Sequence, residues 1–174
     1  HMIPCESDLL LGNNSCNGFI IKTIKLYGKA AHAAIAPHNG INALDAATLG
    51  LTALGMLRST FQEKDYTRIH PIIKKGGEAV NVVPNEVIVE TYVRAKTLEA
   101  IYEANEKTNH AFEAGAHAFG AKVEIEDDAG YLPALTIPPI PALTDSAKLL
   151  NGVTHCPISQ FEHNIASTDV GDLT

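Results

Sequence analysis

The 174-residue sequence lacks an excess of positive charge. Thirteen lysines and arginines stand against twenty aspartates and glutamates, a formal charge of −7, which argues against nucleic-acid binding through a broad basic surface. It lacks an apolar run long enough to span a bilayer, so no membrane partner is expected. Its opening residues, "HMIPCESD", lack the basic and apolar segments of a secretory signal. Cysteine is scarce: Cys5, Cys16 and Cys156 are odd in number, widely spaced and free of any CxxC. That pattern speaks against a disulfide framework or a zinc–thiolate site and for a reducing, cytoplasmic setting. Without a signal, the glycosylation-like Asn13-Asn14-Ser15 is read as chance. No repeat or low-complexity tract appears.

What is present is an ordinary globular composition, 45% apolar and 19% charged, with alternating strand and helix signals. "GFIIKTIKLY" (18–27) is rich in β-branched and aromatic residues and predicts a strand. Pro37, Asn39 and Gly40 mark a loop. Ile41, Leu44, Thr48, Leu51, Leu54, Leu57 and Phe61 then recur at helical steps, predicting an amphipathic helix of five to six turns with Asn39 as its cap. "TRIHPIIKKGG" (67–77) reads as a strand. "VVPNEVIVETYVRA" (82–95) is the clearest one, with Val87, Val89, Thr91 and Val93 on one face and Ile88, Glu90, Tyr92 and Arg94 on the other. A second helix is expected from Thr97, as cap, to about Phe119, with Leu98, Ile101, Tyr102, Thr108, Phe112 and Gly115 on its packed side and Gly120 as its stop. "KVEIE" (122–126) predicts a last short strand.

The order β-α-β-β-α-β predicts an α+β, ferredoxin-like fold: a four-stranded antiparallel sheet with two helices on one face. The other face is then left for solvent, a partner or a ligand cleft. From Gly130, "GYLPALTIPPIPAL" carries four prolines in fourteen residues and reads as a connector. A short helix is expected over 144–150. The remainder is too short for a domain, and the ending "FEHNIASTDVGDLT" suggests a piece of something longer. The expected division is 1–17, a tag or the end of a preceding segment; 18–130, one domain; and 131–174, a return linker with part of a further domain.

Several residues draw attention. His32 sits among alanines in "GKAAHAA", where small neighbours leave an imidazole uncovered. It is either a surface histidine near a turn or a group aimed at something else. Gly76-Gly77 ahead of Asn81 permits a backbone path closed to other residues; Asn81 either caps the turn before Pro84 or meets a ligand. Arg94, on the strand face away from the valines, offers a guanidinium fork to a carboxylate or pairs with Glu90. His110 and His117, seven apart, share a helix face that is read as solvated. His38, His70 and His155 have no usable partner spacing, and Cys5 and Cys16 are read as buried or incidental rather than reactive.

Taken together, "GKAAHAA…P..G.NAL.AA", "GGEAVNVVPNEVIVETYVRA", "AGYLPAL" and "ASTDVGDLT" resemble the dimerisation (lid) domain of the zinc-dependent aminoacylase/carboxypeptidase family of amidohydrolases. The nearest match is the branch of aminobenzoyl-glutamate and other N-acyl-amino-acid hydrolases, over about residues 18–174. The resemblance implies a homodimer formed through the lid and a small N-acyl amino acid or dipeptide as substrate. It implies a zinc or other divalent metal in the full-length enzyme, with none held by this piece alone. It implies that His32 reaches across the dimer to donate a hydrogen bond to the oxyanion in the partner's site. Asn81 and Arg94 would help hold the substrate and its carboxylate. The metal-binding motifs of the family's N-terminal half are absent, so the piece alone is expected to be inactive. His1, in "HMIP", fits both a cloning remnant and a ligand histidine in H-x-x-P context. The alternative is a stand-alone ferredoxin-like regulatory module that binds a small ligand on its open sheet face.

Overall fold

The computed structural model describes residues 9–10, 15–135, 155–156 and 163–173. The helix expected at 144–150, together with His1 and Cys5, lies outside the described residues. In chain order the elements are β1 (Leu9–Leu10), β2 (Ser15–Cys16), β3 (Gly18–Tyr27), α1 (Ala43–Leu57), β4 (Arg68–Ile69), β5 (Ile72–Lys75), β6 (Glu86–Ala95), α2 (Leu98–Phe119), β7 (Lys122–Ala129), β8 (His155–Cys156) and β9 (His163–Asn164).

Strands β3 to β7 form one antiparallel sheet in the order β4-β6-β3-β7, with β5 also paired to β6. That is the expected ferredoxin-like arrangement, with one change. The strand predicted over 67–77 is two short strands, because Pro71 has no N–H to give the ladder, and a further irregularity falls between Ile73 and Lys75. Pro84 likewise delays β6 to Glu86.

Alternation on the central strands sets the core. Ile24 and Leu26 of β3 and Val87, Val89 and Val93 of β6 are fully buried against the helices. Phe19, Tyr92 and Arg94 lie on the opposite, open face, as the period of two requires. The helices meet closely. A Cβ at Gly115 would stand 2.4 Å from the Ala46 carbonyl oxygen, and one at Gly50 would stand 2.6 Å from the Phe112 ring.

Helix α1 is shorter than its periodicity suggested and starts later. Its cap is Asn42, whose Oδ1 accepts from the N–H of Leu44 at 2.9 Å and of Asp45 at 3.3 Å. Asn39 instead belongs to a 3-10 turn over Pro37–Asn39. The cause is tertiary: Ile41 pairs with Lys29 through reciprocal 2.9 Å hydrogen bonds, so the chain must stay extended at 41. Its fully buried residues are chiefly small ones (Ala43, Ala46, Ala47 and Gly50, with Leu54), while Thr48 is exposed and its hydroxyl donates to the Leu44 carbonyl.

Helix α2 is capped as expected, by Thr97 at its start and by Gly120, with φ of 68°, at its end. Its packed stripe is rotated toward Ala100, Ile101, Ala104, Thr108, Ala111 and Phe112. Alanines let the helix sit close to the sheet, and Leu98 and Tyr102, expected inside, are exposed.

The short strands flank this domain. Ser15 and Cys16 run parallel to His163 and Asn164, Leu9 and Leu10 run parallel to His155 and Cys156, and Cys16 bridges to Ala134. The incoming and outgoing chains therefore lie side by side at one end of the sheet.

Candidate functional site

The end of the sheet farthest from those flanking strands carries His32. Strand β3 stops at Tyr27, and the chain turns at Gly28, where a Cβ would stand 2.0 Å from the Ile41 carbonyl oxygen. The following residues form a narrow two-stranded arm with 81–83: Ala33 N–H donates to the Asn81 carbonyl and Val83 N–H to the Ala31 carbonyl, both at 2.9 Å. This places His32 opposite Val82, one residue from Asn81. Gly77, with φ of 132°, supplies the left-handed bend that brings 81–83 back to the arm.

Both His32 and Asn81 are exposed. The ring of His32 is nevertheless oriented. Its Nδ1 accepts from the backbone N–H of Ile35 at 3.2 Å and of Ala34 at 3.3 Å. An accepting ring nitrogen carries no proton, so the hydrogen sits on Nε2, the nitrogen that no described residue engages. The arm thus presents an outward N–H donor held by its own backbone. Ile35 and Val80, both apolar and strongly exposed, flank it.

Arg94 is not in this group. Glu86 and Arg94 begin and nearly end β6, about 26 Å apart at the rise of a strand, and His32 lies beyond the Glu86 end. The guanidinium of Arg94 stands 5.4 Å from the Phe19 ring centroid and 5.1 Å from that of Tyr92, and those rings stack at 4.9 Å. Glu90 pairs with Lys74 at 3.0 Å, and Arg94 has no ion pair among the described residues. Arg94 lines a cavity of about 470 Å³ with Arg68, His70, Glu90, Tyr92 and, from the outgoing chain, Ile165.

Two buried polar groups have no role assigned by the sequence alone. His163 bridges the flanking strands to the domain: its Nδ1 lies 2.7 Å from Ser15 Oγ and its Nε2 2.8 Å from Asn17 Oδ1. Its ring packs 4.6 Å from that of Tyr66, a residue held at φ of 49°. Burial, aided by the charge of Lys96, holds this imidazole below its ordinary pKa. Lys22, 0% exposed, donates to Asn109 Oδ1 at 2.7 Å and to Asp127. Burial pulls its ammonium below the ordinary lysine value, opposed by Asp127. A lysine at a core-facing position of β3 was the available signal for the second. His110 and His117 are exposed, and burial pushes the Cys16 thiol up, away from thiolate character.

Among the described residues no group of three or more histidine, cysteine, aspartate or glutamate side chains is placed to hold a metal ion, and no helix is long and apolar enough to cross a membrane.

Residues 16–119 match the peptidase dimerisation domain family. The chain is 43% identical over 156 residues to the Xaa-Arg dipeptidase of Mus musculus, covering 87% of this chain and 35% of that protein. It is 34% identical over 114 residues to one of the p-aminobenzoyl-glutamate hydrolase subunits of Escherichia coli, covering 63% and 23%. It therefore spans about a third or less of the length of these relatives. Among solved structures, the aminobenzoyl-glutamate utilization protein of Klebsiella pneumoniae superposes with a TM-score of 0.71 at 21% identity, over 93% of this chain and 40% of that one, a likeness of fold.

Proposed function

The chain belongs to the peptidase dimerisation domain family, and from that premise we propose that it is the lid and dimerisation portion of a metal-dependent amidohydrolase or peptidase. Its substrate class would be N-acyl amino acids or small peptides. Residues 18–130 form the lid; 1–17 and 131–174 carry the chain from and to the base that holds the metal. The side-by-side pairing of Ser15–Cys16 with His163–Asn164 supports this division, since an inserted domain must leave where it enters. The scattered cysteines support a cytoplasmic setting. Hydrolysis of an amide is the shared theme of the relatives' names. Zinc or another divalent ion would be held by the base of the full-length enzyme.

The observation that carries the proposal is the His32 ring. Two backbone N–H groups occupy Nδ1 and leave Nε2–H exposed at the tip of an arm. A preoriented N–H is what a carbonyl oxygen needs as it takes up negative charge in the transition state. The arm lies at the end of the sheet remote from its own flanking strands, so the site it serves is the partner's in a homodimer. Asn81, one residue away, adds a second polar contact there. Arg94, beside the flanking strands, binds the substrate carboxylate in its own subunit's cleft.

The test is subunit exchange in the full-length enzyme that carries this lid. H32A is mixed with a variant that keeps His32 and lacks a metal ligand. Random pairing would restore about a quarter of wild-type activity, one working site in each mixed dimer. No recovery despite demonstrated exchange would return His32 to its own subunit or to a structural role.

A further inference from the structure

Arg68 and Arg94 stand directly opposite each other on neighbouring antiparallel strands. The next pair in that register, Ile69 and Val93, is buried, so both arginines point to the open face, with Cβ atoms about 5 Å apart. Like charges in that relationship destabilise a sheet. Elsewhere the sheet avoids the problem. Lys22 holds Asp127, Lys25 holds Glu126, Lys74 holds Glu90, Lys75 holds Glu86 and Lys122 holds Glu124. Among the described residues the two arginines have no carboxylate. Among the described residues Arg68 donates only to the Thr67 carbonyl, at 2.8 Å, which leaves most of its fork without a partner there. Both line the cavity of about 470 Å³, where His70 is also present and where Glu90 is already engaged by Lys74.

We propose that Arg68 is a second binding residue, completing with Arg94 a two-guanidinium clamp for one carboxylate of a small ligand. The rings of Phe19 and Tyr92 hold the Arg94 fork in place. A carboxylate seated between the forks removes the repulsion between them and accepts charge-assisted hydrogen bonds from both. The aromatic pair gives an apolar shelf beside the anion, and Ile165 closes one wall. That the anion is the free carboxylate of an N-acyl amino acid rests on the function proposed above; the clamp itself does not.

The test uses the 174-residue chain, with hippurate (an N-acyl amino acid) and its uncharged amide, hippuramide, as probes. Titrations follow the arginine Nε–Hε signals by NMR. Hippurate should shift Arg68 and Arg94 together and saturably, and hippuramide should not. R68Q should weaken hippurate binding by about tenfold or more, as loss of a charge-assisted pair does. K122Q, which removes a lysine already paired with a glutamate, should bind like wild type. R68Q should also be at least as resistant to urea as wild type, because the repulsion is gone; an arginine with only a structural role would cost stability when lost. Absence of saturable hippurate binding, equal binding of hippuramide, or unchanged binding by R68Q would each overturn the clamp. Subunit exchange reads His32 at the other end of the sheet, so the trans role can fail while the clamp stands, and the reverse.

Discussion

The Lys22 ammonium donates to Asn109 Oδ1 at 2.7 Å beneath helix α2, in the one place where β3 turns a charge toward the core. Asp127 accepts from the same ammonium and, through its other oxygen, from Asn105 Nδ2 at 2.7 Å. Each member therefore fixes another, and α2 is tied to the β3–β7 pair by polar contacts. Removing one partner of such a network costs more than the network contributes as a whole. K22A should lose about 2–3 kcal/mol in urea unfolding, below the range for fully buried pairs because Asp127 is 35% exposed and regains water. The combined change K22M with D127L should recover a good part of that. A single K22A as stable as wild type would mean that the network does not support the fold.

The two helical glycines 55 and 115 should respond with opposite signs. Alanine is about 1 kcal/mol better than glycine inside a helix. Nothing lies within 4 Å of a Cβ at Gly55, so G55A should gain roughly that amount. At Gly115 the added carbon meets the Ala46 carbonyl oxygen at 2.4 Å and the Gly50 nitrogen at 2.9 Å, backbone atoms that move only if the helices separate. G115A should lose about 1–3 kcal/mol, the usual cost of overpacking. Thermal midpoints of the two variants read both at once.

Replacing Asn42 by alanine should cost about 1 kcal/mol, the value of a helix cap, while N39A should stay near wild type. This pair probes the point where sequence reading slipped. Local propensity favours either asparagine; what selects Asn42 is the pairing of Ile41 with Lys29, residues twelve apart in sequence. The same limit explains the other differences. Pro71 and Pro84 were visible in the strand signals, yet their effect on length depends on which neighbours need their N–H. Leu98 and Tyr102 fit the helical period, yet alanines on the adjoining stripe let that stripe approach the sheet instead. By contrast, the two faces of β6 and the caps of α2 were legible, because alternation and capping are local rules. In the candidate site, His32 and Asn81 stood out through motif, and the register of the arm makes them near neighbours. Arg94 stood out equally, but only the strand length shows that it belongs at the other end. Arg68 lay unnoticed in "TRIH", since its partner is cross-strand.

The wild-type chain should lose stability as pH falls from about 6.5, and H163Q should lose less. Burial and Lys96 hold the folded pKa of His163 below its ordinary value near 6.5. As pH falls through 6.5 the unfolded chain takes up the proton first, which favours unfolding. The loss continues down to the folded pKa and then levels off; above 6.5 the contribution is complete. Glutamine keeps a donor for Asn17 and removes the titration. Urea midpoints from pH 7.5 down to 5 would show this, and parallel curves for the two proteins would assign the pH dependence to other groups.

If His32 serves the partner's site and Arg94 its own, an exchange needing no metal-ligand variant distinguishes the arrangements. In the full-length enzyme, H32A and R94A should each be severely impaired alone. In a mixed dimer, the subunit carrying H32A keeps its own Arg94 and receives His32 from its partner, so that site is whole. The other site lacks both. Mixing should then restore about a quarter of wild-type activity. Were both residues to act within one subunit, or both across the dimer, neither site of the mixed dimer would be whole and nothing would return. The prediction follows from the length of β6. Its roughly 26 Å between Glu86 and Arg94 separates the His32 end from the Arg94 end, and the flanking strands lie at the Arg94 end.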